Sequence, residues 1–239
     1  MRKLLSLILS LLLIGLLPAA SAEEPALGVT YEIFVASFQD SNGDGIGDLQ
    51  GIIDRLDYLQ SLGVRQIWLM PIHPSPSYHK YDVLDYYAVD PSYGTLDDFD
   101  RLTAACKERG IRVILDLVLN HSSSSHPWFL AACDDKFFSR TGETTDWYVF
   151  YQEEGNARHK ISGCAWWYEG QFGSHMPDFN LDSESLRAEF GNIIAFWQSH
   201  GVGGFRLDAV TSYYTGATAS TSDFLRFVCE TAKANDPDC

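Results

Sequence analysis

The chain has 239 residues, 46% of them apolar, enough for one large domain or two small ones with a substantial core. Its 32 acidic residues outnumber 17 basic ones, a formal charge of −15 that excludes nucleic acid and anionic membrane surfaces as partners, since both would be repelled. With 19 Gly, 9 Pro, 13% aromatics and no long polar tract, the composition is that of a globular protein and not of a disordered or collagen-like one.

Arg2 and Lys3 precede an apolar run over 4–17, interrupted by Ser6, Ser10 and Gly15, and Ala20-Ser21-Ala22 offers a small-x-small cleavage site. This predicts an export signal over 1–22, because a membrane anchor needs about 20 apolar residues. The expectation is a secreted, extracellular protein with no membrane association after cleavage.

From residue 29 onward, apolar β-branched runs alternate with helical patterns, the mark of an α/β fold whose parallel sheet is covered by helices. Strands are predicted at 29–34, 66–69, 113–117 and 204–207. Helices are predicted at 51–62, 96–108, 186–200 and 224–234. Gly110 and Gly201 stand where helix ends call for a left-handed residue. Residues 122–182, rich in Ser, Gly and aromatics and weakly periodic, are too long for a loop and predict an inserted subdomain after the third strand. Four strand-helix units occupy half of a TIM (β/α)8 barrel, which takes about 250 residues. The expected organisation is a signal at 1–22, the first part of a barrel at 23–121, the insertion at 122–182, and a continuation at 183–239 that stops short of closure.

Five cysteines, Cys106, Cys133, Cys164, Cys229 and Cys239, are an odd number for an exported chain and lack the C-x-x-C spacing of a metal or redox site. Cys133 and Cys164 could bridge one loop region. Cys106 and Cys229 fall in helical patterns, and buried free thiols are the favoured reading.

Asp116-Leu-Val-Leu-Asn-His121 closes the third strand and Gly204-Phe-Arg-Leu-Asp208 the fourth. Polar residues at the carboxyl ends of parallel barrel strands face the active site. Arg206 and Asp208 stand two apart and share a side of the strand, and an arginine beside a carboxylate favours the ionised form a nucleophile needs. A structural ion pair would use the same spacing. Asp40-Ser-Asn-Gly-Asp-Gly-Ile-Gly-Asp48 places oxygens at positions 1, 3, 5 and 9 of an EF-hand-like loop, which suits a hard cation on Asp40, Asn42, Asp44, the Ile46 carbonyl and Asp48. Gly51 occupies the twelfth position, where a Glu is expected, and a polar turn would draw on the same residues.

DLVLNH at 116–121, GFRLD at 204–208, MPDFN at 176–180 and KYDVLDYY at 80–87 together resemble, in order and spacing, four motifs of the alpha-amylase family of glycoside hydrolases. The resemblance runs from about Tyr31 to the last residue. It implies a retaining hydrolase of α-glucans and maltooligosaccharides with Asp208 as nucleophile and Arg206 as its orienting partner. It further implies that Tyr81 stacks on the sugar at the cleavage subsite, while Asp82 and His121 bond its hydroxyls. Asp116 is read as structural, anchoring the loop, and stays outside the catalytic set. In the family the general acid is a Glu ending a fifth strand, so the expectation is a fragment that lacks the acid and is inactive alone; Glu230, in a helical pattern, cannot substitute.

The 40–48 loop resembles one that holds calcium in the oligo-1,6-glucosidase and neopullulanase-like branches. A second calcium in many members uses the Asn before the motif histidine, here Asn120, and a His four residues past the nucleophile, here Ser212, so the resemblance leaves that site open. MPDFN is similar to the amylase and neopullulanase form and favours α-1,4 cleavage. A transglycosylase, an oligo-1,6-glucosidase type and a non-catalytic glucan-binding barrel are the alternatives. Trp147, Trp166, Trp167 and Tyr168 serve either as sugar platforms or as the core of the insertion. His73, His79, His126, His159, His175 and His200 show no ligand spacing, and His79 lies near enough to Tyr81 to touch substrate.

Overall fold

A computed structural model describes residues 28–214 and 218–239. The export signal expected over 1–22 lies outside the described residues. Among the described residues no helix is long and apolar enough to cross a membrane.

In chain order, β1 (Val29–Ile33) leads into the short α1 (Val35–Phe38), and α2 (Leu49–Asp54) and α3 (Leu56–Ser61) precede β2 (Val64–Leu69). The single helix predicted over 51–62 is thus two. Asp48 caps the first by accepting the Gly51 N–H at 2.7 Å, which starts it at Leu49. Arg55 interrupts it (φ −107°, ψ 3°), its N–H turning back to Ile52 and its side chain bonding Gln39. Gly51 is required where it stands, because a Cβ would lie 2.0 Å from the Gln39 carbonyl.

Helix α4 (Leu96–Glu108) opens on a capping box between Thr95 and Asp98 and buries Phe99, Leu102 and Cys106. It ends at Gly110 in the left-handed region (φ 65°), and β3 (Arg112–Leu117) follows. Residues 122–182 hold α5 (Pro127–Phe137) and an antiparallel sheet of β4 (Phe150–Tyr151), β5 (Arg158–Lys160) and β6 (Trp167–Glu169), in the order β4-β6-β5. His126 caps α5 and Pro127 occupies its first turn, where a missing N–H costs nothing. Helix α6 (Glu184–Ser199) buries Phe190, Ile193, Ile194 and Trp197 on the predicted stripe and stops at Gly201 (φ 87°). Then come β7 (Gly204–Leu207), a 3-10 turn at Val210–Ser212, and α7 (Thr218–Asn235). The last helix begins six residues before the predicted Phe224, in a Ser- and Thr-rich stretch with no apolar period.

The main sheet is all parallel in the order β1-β2-β3-β7, with residues 122–182 and α6 between its third and fourth strands in the chain. Ile33, Ile67, Leu69, Leu115 and Leu117 are buried on it under the helices, with Trp197 fully enclosed and its indole N–H on the Tyr86 carbonyl at 2.8 Å. Each such side chain contributes about 1.5–3 kcal/mol by leaving water. The insertion is joined to the barrel through aromatics, Trp128 lying flat on Tyr86 at 5.6 Å and edge-on to Trp147 at 4.8 Å. Trp147 and Tyr168 are buried, so these two belong to the core. The five cysteines are free thiols; Cys106 is buried as expected, whereas Cys229 is exposed on α7.

Candidate active site

Parallel pairing of β3 with β7 sets Asp116 opposite Arg206 at the carboxyl end of the sheet. Two residues on, Asp208 emerges on the same side. Arg206 Nη1 donates to Asp208 Oδ1 at 2.6 Å and to both oxygens of Asp116 at 3.1 Å. Trp68 Nε1 and the Tyr81 hydroxyl add bonds to Asp116 Oδ2 at 3.1 and 3.2 Å, and the guanidinium lies 4.8 Å from the Trp68 ring centre. A fully buried carboxylate is tolerated only when its oxygens are satisfied in this way.

Burial pushes the Asp116 carboxyl up to about 6, and Arg206 pulls it back only in part. Arg206 loses solvation by burial, yet the two carboxylates, Asp116 first, hold its proton more firmly than in water. The Tyr81 hydroxyl is raised, by burial and then by Asp116. Asp116 holds more than its own loop, since its oxygens fix Arg206, Trp68 and Tyr81. Its signal in the sequence was a lone acid within an apolar strand.

His121 is buried, and burial lowers its pKa to about 4 against the opposing pull of Asp208 and the Tyr81 carbonyl. The ring is therefore neutral at pH 7. Asn120 Nδ2 lies 3.3 Å from His121 Nδ1, and Nε2 makes no hydrogen bond of ordinary geometry. Asp82 is buried and receives Ser75 Oγ at 2.7 Å and Ser77 Oγ on the same Oδ1, so its other oxygen is the one open to a ligand. The His79 ring leans on Tyr81 at 5.9 Å and its Nδ1 accepts the Tyr81 N–H. Arg206, Asp208, Tyr81, Asp82 and His121 thus share one region, with Asp116 and Trp68 beneath them.

The predicted cation loop is a chain of side-chain-to-backbone turns. Asp40 accepts the N–H groups of Asn42, Gly43 and Gly45, Asn42 that of Asp44, and Asp44 that of Ile46. Asp48 accepts from Ser41 and caps α2. These bonds lower the Asp40 pKa, the Gly45 N–H having the largest effect. Among the described residues no three His, Cys, Asp or Glu side chains converge as a metal-holding group.

The family model for the alpha amylase catalytic domain matches residues 32–237. The chain is 46% identical over 188 residues to alpha-amylase 3 of Dictyoglomus thermophilum, an alignment covering 78% of this chain and 37% of that protein. It is 43% identical over 197 residues to the trehalose-6-phosphate hydrolase of Escherichia coli, covering 77% and 35%. Among solved structures it superposes on Eubacterium rectale Amy13B with a TM-score of 0.84 at 46% identity, over 87% of this chain and 42% of that one. On the alpha-amylase from H. orenii the TM-score is 0.79 at 41% identity, over 87% and 46%. The chain spans 37% and 35% of the lengths of the two curated relatives named. Its four parallel strands are part of a TIM barrel, and the chain belongs to the alpha-amylase family of glycoside hydrolases, through that family's catalytic domain.

Proposed function

We propose that the protein is an exported retaining glycoside hydrolase that cleaves α-1,4-glucosidic bonds of starch-like glucans through a covalent glycosyl intermediate on Asp208. The observation that carries this reading is the Arg206 guanidinium seated between Asp208 and the buried Asp116, with Tyr81 and His121 alongside. In the first step an Asp208 oxygen attacks the anomeric carbon as the glycosidic C–O bond breaks; water then releases the sugar. Arg206, immobilised by Asp116 and Trp68, fixes the nucleophile's orientation. His121 Nε2 and the open oxygen of Asp82 meet hydroxyls of the ring, and Tyr81 packs on its face.

The leaving oxygen needs a proton from a second carboxyl about 5–5.5 Å from the first. Asp116 does not fit that role despite its raised pKa, since it has no exposed surface and both oxygens are engaged. The resemblance assigns the acid to a Glu ending a fifth barrel strand.

We further propose calcium on the 40–48 loop. Asp40, Asn42, Asp44 and Asp48 keep unused lone pairs after their amide bonds, and an oxygen-only donor set suits a hard cation. Calcium there would brace the loop after β1.

MPDFN supports the α-1,4 linkage, whereas a relative named glucan 1,6-alpha-glucosidase, 41% identical, supports a 1,6-specific or transferring enzyme as the second reading. Product analysis of the full-length protein on maltooligosaccharides and isomaltose, with and without an acceptor sugar, separates the two. Release of maltooligosaccharides by hydrolysis is expected; cleavage of isomaltose alone, or acceptor products alone, would replace the first reading by the second.

A further inference from the structure

One glutamine closes the seam between the inserted segment and the turn that follows β7. Gln171, just past β6, donates its backbone N–H to Asp178 Oδ2 at 3.1 Å and its side-chain amide to the Ser212 carbonyl at 2.9 Å. The other oxygen of Asp178 accepts Asn120 Nδ2 at 3.0 Å, and the Asn120 carbonyl receives the Phe179 N–H at 2.8 Å. A continuous path thus runs from the loop after β3, through Asp178, to the turn that begins at Asp208.

This is the place, between Asn120 and position 212, where the resemblance leaves a second calcium open, and the residues present do not fit one. Both oxygens of Asp178 and the carbonyl of Ser212 are turned to N–H groups, and Asn120 presents its amide hydrogens inward. A cation would have to displace each of these donors, and Gln171 supplies two of them from one residue.

We propose that Gln171 is a built-in substitute for that cation, making the seam between the insertion and the nucleophile turn independent of metal. The inference concerns the fold, does not rest on the glucan reading, and is tested without turnover. The cleft along the seam, about 370 Å³ and lined by Glu169, Gln171, Asp178 and Tyr213, is wide enough to admit an ion once the amide is replaced by a carboxylate.

The test uses the full-length protein carrying Asp44→Ala, which weakens any response of the 40–48 loop, and follows thermal unfolding and tryptic cleavage within 122–182, with chelator or with calcium. The expected melting temperature differs between the two media by no more than the residual response of the 40–48 loop, and Asp178→Asn does not change that difference. Gln171→Ala lowers the melting temperature by roughly 3–8 °C in both and speeds cleavage. Gln171→Glu lowers it in chelator, because its carboxylate faces the Ser212 carbonyl and Asp178, and recovers with calcium. A calcium-dependent rise in the Asp44→Ala protein that Asp178→Asn removes would overturn the proposal. So would a Gln171→Ala protein unchanged in melting and cleavage, or a Gln171→Glu protein insensitive to calcium.

Discussion

Arg206 stands opposite Asp116 in the register of neighbouring parallel strands, and its guanidinium bonds both oxygens of that buried carboxylate at 3.1 Å. The nucleophile candidate Asp208 is held at 2.6 Å by the same nitrogen, so its placement depends on a residue that itself has no exposed surface.

Replacement of Asp116 by Asn keeps the volume and removes the charge that holds Arg206. A small misplacement of a reacting group costs on the order of 100-fold, and kcat of the full-length Asp116→Asn protein is expected to fall about that much with a smaller change in KM. Steady-state kinetics on a maltooligosaccharide would check this; an unchanged kcat would show that Arg206 is positioned without Asp116.

The barrel part of the fold was legible because its signals are local and repeated. Phe190, Ile193, Ile194 and Trp197 recur at helical spacing, and Gly110 and Gly201 mark helix ends with the positive φ that only glycine adopts freely. The break at Arg55 was not, since Ile52, Ile53, Leu56 and Leu59 keep one apolar stripe across a one-residue interruption. Helix α5 was hidden for the opposite reason: it buries Phe129 and Ala132 but exposes Leu130 and Phe137, so no clean stripe exists. At the site, the i, i+2 spacing gave the Arg206 to Asp208 contact. The partnership of Asp116 with Trp68 and Tyr81, and the strap made by Gln171, depend on strand register and loop paths that no local pattern encodes.

Calcium should raise the melting temperature of the full-length protein by mass action on the native state, about 2.7 kcal/mol when the ion exceeds its Kd 100-fold. Asp44→Ala should remove most of that increment. Differential scanning calorimetry with calcium and with chelator measures it, and identical curves for both proteins in both media would reduce the loop to a turn.

His73 is fully buried between Tyr86 and Trp197, bonds the Ala88 carbonyl through Nδ1, and has its pKa lowered by burial from 6.5 to about 4. Below pH 6.5 the unfolded chain takes up this proton and the native one does not until about 4, so stability present above 6.5 is lost as the pH falls through that window. The loss amounts to about 3 kcal/mol for one such group. His73→Asn, which retains an amide donor for Ala88, should flatten the decline of the urea midpoint between pH 7 and 4.5. Parallel declines in the two proteins would contradict this.

Trapping of the intermediate tests the central claim most directly. A fluorinated α-glucosyl fluoride carries a leaving group that needs no acid and forms a slowly hydrolysed glycosyl ester with a retaining nucleophile. Incubation of the full-length protein with this reagent, followed by peptide mass spectrometry, should place one glucosyl adduct on the peptide containing Asp208 and none on the Asp208→Asn protein. An adduct on another carboxylate, or equal labelling of the two proteins, would contradict the account.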